Sequence, residues 1–236
     1  MTTIDKFHRQ AKQEGYRARS AFKLLDVARD FHIFDNVHNV VDLCAAPGSW
    51  SQVLSKTIQE PRTIVSVDLQ DIAPIDGVKL VKGDITKGST AKEVMKHFEG
   101  KKVDLIICDG APDVTGVHDI DESNQWILMQ AAFSIMAVIL KKGGAFVAKI
   151  FVENEYPHLY YQFKSVFESV TIYKPESSRI QSYEHFVVCK GFTHADTCTL
   201  EDVPEKLEEL PLTKQIMTRE MEAVEIELNE FVPVEE

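Results

Sequence analysis

From residue 40 onward, short apolar runs alternate with amphipathic segments of helical period, and four of the runs carry an aspartate at or near their ends. No other feature limits the fold so tightly. The runs lie at 40–43, 63–67, 78–81, 103–108 and 145–151. Helical segments fall between them at 50–56, at 89–98 with Ser89 or Thr90 as cap, and at 125–140 with Gly143-Gly144 as the stop. Such alternation predicts a mostly parallel, doubly wound α/β sheet. A further helix runs from Pro157 to Phe167, followed by strands at 169–173 and 185–189. About a dozen residues separate these two strands, too few for a crossover helix, so they should be antiparallel. The expectation is seven strands, mostly parallel, with the last antiparallel. Ahead of the sheet, "AFKLLDVARDF" presents Phe22, Leu25, Val27, Ala28 and Phe31 as one face of a helix capped by Ser20. The expected organisation is a basic N-terminal arm at 1–18, one domain at 19–192 and an acidic tail at 193–236.

The stretch "VDLCAAPGSWSQVLSK", residues 41–56, reads as strand, tight loop and helix. A dinucleotide loop needs the GxGxxG glycine set around a pyrophosphate. This loop has one glycine, Gly48, followed by Ser49 and Trp50. A single glycine still allows one close backbone approach. A nicotinamide dinucleotide therefore does not fit, and no GK[ST] follows to make a nucleotide-triphosphate loop.

Ligands of open parallel sheets bind at the carboxyl ends of the strands. Asp42, Asp68, Asp84 and Asp109 mark those ends on four consecutive strands. Asp68 lies about 20 positions past the loop glycine, where a carboxylate accepts hydrogen bonds from ribose hydroxyls. Asp84, in "KGDIT" with Ile85 beside it, suits an adenine amino group. Asp42 either braces the loop or meets an ammonium. The implied ligand carries ribose, an amino-bearing base and positive charge, without phosphate, and S-adenosylmethionine fits. Trp50 would offer it an aromatic surface.

Two lysines and two acids complete the set. Lys149 sits late in "GGAFVAKIF", where a lysine is costly to bury unpaired, and Asp109 is its natural partner. Lys23 lies on the first helix, and Glu184 opens the last strand. They form either a buried ion network or a proton-transfer site beside a methyl donor.

"RARSAFKL", "VDLCAAPGSW", "VDLQ", "GDIT", "CDGAPDVTG", "FVAKIF" and the glutamate of "SSRIQSYEHFVVC" together resemble the FtsJ (RrmJ-type) RNA ribose 2'-O-methyltransferases over residues 6–192. The wording around "CDGAPDVTGVHDIDE" is most similar to the eukaryotic branch that acts on the tRNA anticodon loop. The resemblance implies a Rossmann-like S-adenosylmethionine-dependent methyltransferase fold. It also implies a Lys-Asp-Lys-Glu tetrad at Lys23, Asp109, Lys149 and Glu184, and donor contacts at Gly48, Trp50, Asp68, Asp84 and Asp109. "KIFVENEYPHLYYQF" departs from that branch's usual "KIFRG", so a basic contact near the target is lost. Ribosomal RNA as substrate and an inactive donor-binding scaffold remain the alternatives. In the reaction, Lys149 either receives the ribose hydroxyl proton or, if charged, orients the hydroxyl.

The net charge of -11 is unsuited to RNA as a whole, but it is unevenly spread. Residues 1–30 hold seven Lys/Arg and four Asp/Glu, whereas 192–236 hold three and thirteen. Lys6, Arg9, Lys12, Arg17 and Arg19 are therefore expected to neutralise tRNA phosphates, with Phe7 and Tyr16 stacking on a splayed base. The resemblance implies an auxiliary WD-repeat or helical-repeat protein as partner. The tail, with Ile216, Met217, Met221, Val224, Leu228 and Phe231, is either a solvated, partly helical extension or a docking segment. Cys44, Cys108, Cys189 and Cys198 form no CxxC pair and read as free thiols in a reducing, cytoplasmic setting. The histidines are scattered, no metal is expected, and no apolar run reaches the ~20 residues of a membrane span.

Overall fold

The computed structural model of the chain describes residues 3–110, 118–151, 156–194 and 203–205. Outside them lie the "APDVTGV" segment after Gly110, the first four residues of the departure after Phe151, Cys198 and the apolar positions beyond Glu205.

The elements run α1 (Thr3–Gln13), α2 (Ala21–Phe31), β1 (Asn39–Leu43), α3 (Ser49–Thr57), β2 (Thr63–Asp68), β3 (Val78–Lys82), α4 (Gly88–Lys96) and β4 (Val103–Cys108). Then come α5 (His118–Ile139), β5 (Leu140–Phe151), α6 (Tyr156–Lys164), β6 (Phe167–Tyr173) and β7 (Glu184–Phe192). The sheet order is β3-β2-β1-β4-β5-β7-β6. Strands β1 to β5 pair in parallel, and β7 is antiparallel to both β5 and β6. This is the expected sheet, with six strands in one direction and one reversed, and with β7 inserted between β5 and β6.

Both faces are covered, as a parallel sheet requires. Strand β1 shows how. Val41 and Leu43 point into one core with Val65, Ile106 and the apolar residues of α4, α5 and α6. Val40 points the other way, into a core with Leu24 and Val27 of α2 and Trp50, Val53 and Leu54 of α3. Asp42 shares that second face, because side chains alternate along a strand.

Several boundaries differ from expectation. Residues 1–18 contain a helix rather than only an arm. α1 docks on α2 through Phe7 and Phe22, whose ring centroids are 5.5 Å apart, and Ala11 is buried. Ser20 does not cap α2 with its side chain; its hydroxyl instead meets that of Ser49 at 2.8 Å. α4 starts after Lys87, without a side-chain cap. Gly143-Gly144 does not follow a helix end directly. The strand already begins at Leu140, and the glycines sit where the β4–β5 register shifts between the Val103–Leu140 and Leu105–Ala145 pairs. Gly143, at φ 78°, supplies the left-handed backbone there. Phe167 belongs to β6, where it pairs with Phe192. The acidic tail also touches the domain: Val203 is 2% exposed within the first core.

Candidate active site

Parallel strands place their carboxyl ends on one edge, and a cleft of about 420 Å³ opens there. Asp68, Asp84 and Asp109 line it, from the tips of β2, β3 and β4, and Lys149 of β5 closes one side. Leu69, Ile85, Ile127 and Leu128 give it apolar walls. Leu69 and Ile127 are 66% and 54% exposed, which leaves apolar surface open to a ligand in the cleft.

The carboxylates are held by local backbone. Asp68 accepts hydrogen bonds from the amides of Ala46 and Gln70, each at 2.8 Å. Asp68 thereby ties the β1–α3 loop to the tip of β2. Asp84 accepts from the Thr86 amide at 2.9 Å and its hydroxyl at 2.8 Å. Both bonds fall on one carboxylate oxygen. Thr86 also lines the cleft, a role that only the adjacent "GDIT" wording could have signalled.

Asp42 does not reach the cleft. It is fully buried and accepts a 2.5 Å hydrogen bond from Ser51 of α3, whose hydroxyl also meets Ser66 of β2 at 2.7 Å. Through Ser51 it ties β1 to α3. Burial pushes its carboxyl up to about 8, Ser51 opposes this, and the charges of Asp109 and Asp68 push further in the same direction.

Trp50 corrects an expectation. Its side chain faces the second core, 1% exposed, with its ring 5.6 Å from Phe186 and its Nε1 donating to the Ser20 carbonyl at 2.9 Å. It presents no surface to the cleft, because the first turn of α3 aims it at α2 and β7. Ser49 beside it is buried too. Gly48 sits at φ 102°, and a Cβ there would come 2.7 Å from Arg17 Nη1 and 2.8 Å from Ile75 Cδ1. The close approach at Gly48 in this structure is therefore made by the chain itself.

The four tetrad positions come together. Lys23 Nζ lies 2.5 and 2.7 Å from the two Glu184 oxygens. Lys149 Nζ donates to the Asp109 carbonyl at 2.6 Å and lies 3.1 Å from its carboxylate. All four side chains are between 11% and 18% exposed. Burial opposes the ionisation of Glu184, but Lys23, Lys149 and the Ser178 hydroxyl outweigh it and hold the carboxyl below its usual range. Ser178 donates to Glu184 at 3.1 Å. The reversed direction of β7 makes this possible, since it puts the strand's first residue, Glu184, opposite Phe151 at the carboxyl edge of β5.

The basic front divides in two. Lys6, Arg9 and Lys12 are exposed on α1. Arg17 and Arg19 are bound to the protein's own backbone. Arg17 donates to the carbonyls of Pro47 and Pro74, each at 2.9 Å. Arg19 donates to Ser177 at 3.0 Å. Phe7 and Tyr16 both pack on Phe22, and Lys56 lies 4.0 Å over the Tyr16 ring. Cys44, Cys108 and Cys189 are free thiols. Among the described residues, no helix is long and apolar enough to cross a membrane.

Residues 16–192 match the FtsJ-like methyltransferase family. The chain belongs to the FtsJ-like methyltransferases. Within known members, it is 54% identical over 190 residues to the mouse (Mus musculus) tRNA (cytidine(32)/guanosine(34)-2'-O)-methyltransferase, covering 80% of this chain and 59% of that one. The chain thus spans somewhat over half the length of that relative. It is 36% identical over 188 residues to the ribosomal RNA large subunit methyltransferase E of Marinobacter nauticus, covering 80% of this chain and 91% of that one. The FtsJ-like fold is seen again in the crystal structure of a protein assigned as a ribosomal RNA methyltransferase in Plasmodium falciparum. It has a TM-score of 0.68 and 26% identity, covering 76% of this chain and 100% of that one.

Proposed function

We propose that this FtsJ-like chain transfers a methyl group from S-adenosylmethionine to a ribose 2'-oxygen of tRNA, in the anticodon loop. The observation that carries the reading is the pair of lysine–carboxylate contacts, Lys23 with Glu184 and Lys149 with Asp109, set beside an acid-lined cleft.

The cleft suits the donor. Asp68 would accept hydrogen bonds from its ribose and Asp84 from its adenine amino group, while Leu69, Ile85 and Ile127 would cover the base. The carboxylates that raise the Asp42 carboxyl also favour a cationic ligand. When bound, S-adenosylmethionine supplies a methyl group activated by a sulfonium. Much of the acceleration then comes from holding the two reactants in line. Lys149 orients the acceptor hydroxyl and takes its proton as the carbon–oxygen bond forms. Asp109 and Glu184 stabilise the ammonium that results, and Lys23 fixes Glu184 in place.

The choice of tRNA rests on the greater identity to the mouse enzyme than to the bacterial ribosomal one, 54% against 36%. The exposed cations of α1 are the proposed phosphate contacts. They are few, and an auxiliary WD-repeat or helical-repeat protein is proposed to complete the tRNA surface. The cytoplasm suits the free thiols.

The test supplies labelled S-adenosylmethionine and total tRNA to the chain and to Lys149→Ala, with and without extract lacking the endogenous enzyme. Labelled anticodon-loop riboses are expected, with greater incorporation in extract. The variant should lose about 10²- to 10⁴-fold in rate and still bind S-adenosylhomocysteine. Label on ribosomal RNA alone would overturn the substrate. Donor binding without label under any condition would leave only a scaffold. Full activity of the purified chain on unmodified tRNA would remove the need for a partner.

A further inference from the structure

The family match ends at Phe192, yet three residues beyond it pack on the domain at the start of α4. Val203 is buried in the core that also contains Val81 and Ile85. The carbonyl of Glu205 accepts a 2.8 Å hydrogen bond from the amide of Gly88, the first residue of α4. The N-terminus of α4 has no side-chain cap, so this carbonyl satisfies one of the amides that a helix start leaves open. Pro204 lies closer still: a Cβ on Gly88 would sit 1.8 Å from its carbonyl oxygen. No side chain larger than hydrogen fits there while the segment is in place.

Gly88 is the far end of a short, bonded turn. The Lys87 amide donates to the Asp84 carbonyl at 3.1 Å, and the amide and hydroxyl of Thr86 donate to the Asp84 side chain. Asp84, Ile85 and Thr86 form the cleft wall. One end of the turn therefore faces the cleft, and the other is clamped by residues 203–205. We infer that Val203, Pro204 and Glu205 act as a positioning strap that sets the Asp84–Thr86 wall, so that donor affinity depends on a segment outside the family domain. This rests on the cleft being the donor site.

Two full-length variants separate the strap from the cleft. Gly88→Ala adds one methyl group where the Pro204 carbonyl lies, and so displaces the strap without removing a residue of the cleft wall. Val203→Ala weakens its apolar anchor without touching α4. Binding of S-adenosylhomocysteine and of 5'-methylthioadenosine, which keeps the adenosine end, is measured by calorimetry at a temperature where circular dichroism shows all three proteins folded. Both variants should bind both ligands about threefold to tenfold more weakly, the equivalent of one lost hydrogen bond. In turnover assays, KM for the donor should rise while kcat at saturating donor is kept. Equal affinities in wild type and variants would overturn the strap. A wild-type chain that binds neither ligand would overturn the donor reading itself, and the strap with it.

Discussion

Asp42 shows how one residue's role is set by depth. Its folded-state carboxyl is pushed up to about 8 by burial, against the opposition of Ser51. A raised carboxyl contributes stability in its protonated form. That contribution is complete below about pH 4, the ordinary aspartate value, and is lost as pH rises towards 8. Urea midpoints of the wild type should therefore fall across this window. Those of Asp42→Asn should fall less, so the variant gains relative to wild type as pH increases; a constant difference would refute the assignment. Trp50 gives the opposite lesson. An aromatic at the start of the loop helix reads as a ligand platform, yet its indole is 1% exposed and bonded to Ser20. Trp50→Phe should cost about 1–2 kcal/mol of stability through the lost hydrogen bond and altered packing, with S-adenosylhomocysteine affinity unchanged. A large fall in affinity at unchanged stability would restore the platform. The sequence placed both residues beside the right loop. It could not tell which side of β1 or α3 each would face, because that depends on the helix packed opposite.

At the scale of the element, the β1–α3 turn near the cleft is tightly constrained. Gly48 holds a φ of 102° while Arg17 Nη1 and Ile75 press on its open side. Gly48→Ala therefore meets both an unfavourable backbone region and two contacts under 3 Å. The expected cost is about 1–3 kcal/mol, read as a lowered thermal midpoint; an unchanged midpoint would show that the turn relaxes freely. A lone glycine in "AAPGSW" signalled the turn, but not Arg17, whose partners Pro47 and Pro74 are 30 and 57 residues away in sequence. The α1 helix was missed for a related reason. Its segment is mostly polar, and only Phe7 and Ala11 reveal the stripe that docks on α2. The first strands were legible nearly to the residue, because their apolar runs are short and bounded by turn residues. Leu140 escaped because an apolar run at the end of a helix continues unchanged into the strand that follows.

Across the whole molecule, charge is separated rather than balanced. The net charge is -11, with the excess acid concentrated after residue 191, while Lys6, Arg9 and Lys12 stand exposed on α1. If these three meet phosphates, their joint replacement by alanine should weaken tRNA binding and flatten its dependence on log salt by about 2. The far-ultraviolet spectrum should stay the same. An unaltered slope would place the RNA elsewhere on the surface. The order of the elements from α2 to β7 and the acidic strand tips could be read from the chain, because each depends on periodicity or on a local motif, whereas the set Lys23, Asp109, Lys149 and Glu184 came from the family resemblance. What the sequence by itself determined was therefore the doubly wound class, the ligand edge and the chemistry available there. Tertiary structure alone decided which of those groups meet. Lys23 and Glu184 are 161 residues apart, and they touch because β7 runs against the sheet and begins at its ligand edge. Asp42 lies buried against Ser51 of α3, and residues 203–205 return to cap α4. Pairings of this kind depend on the distance between packed layers, a quantity that no single stretch of sequence contains.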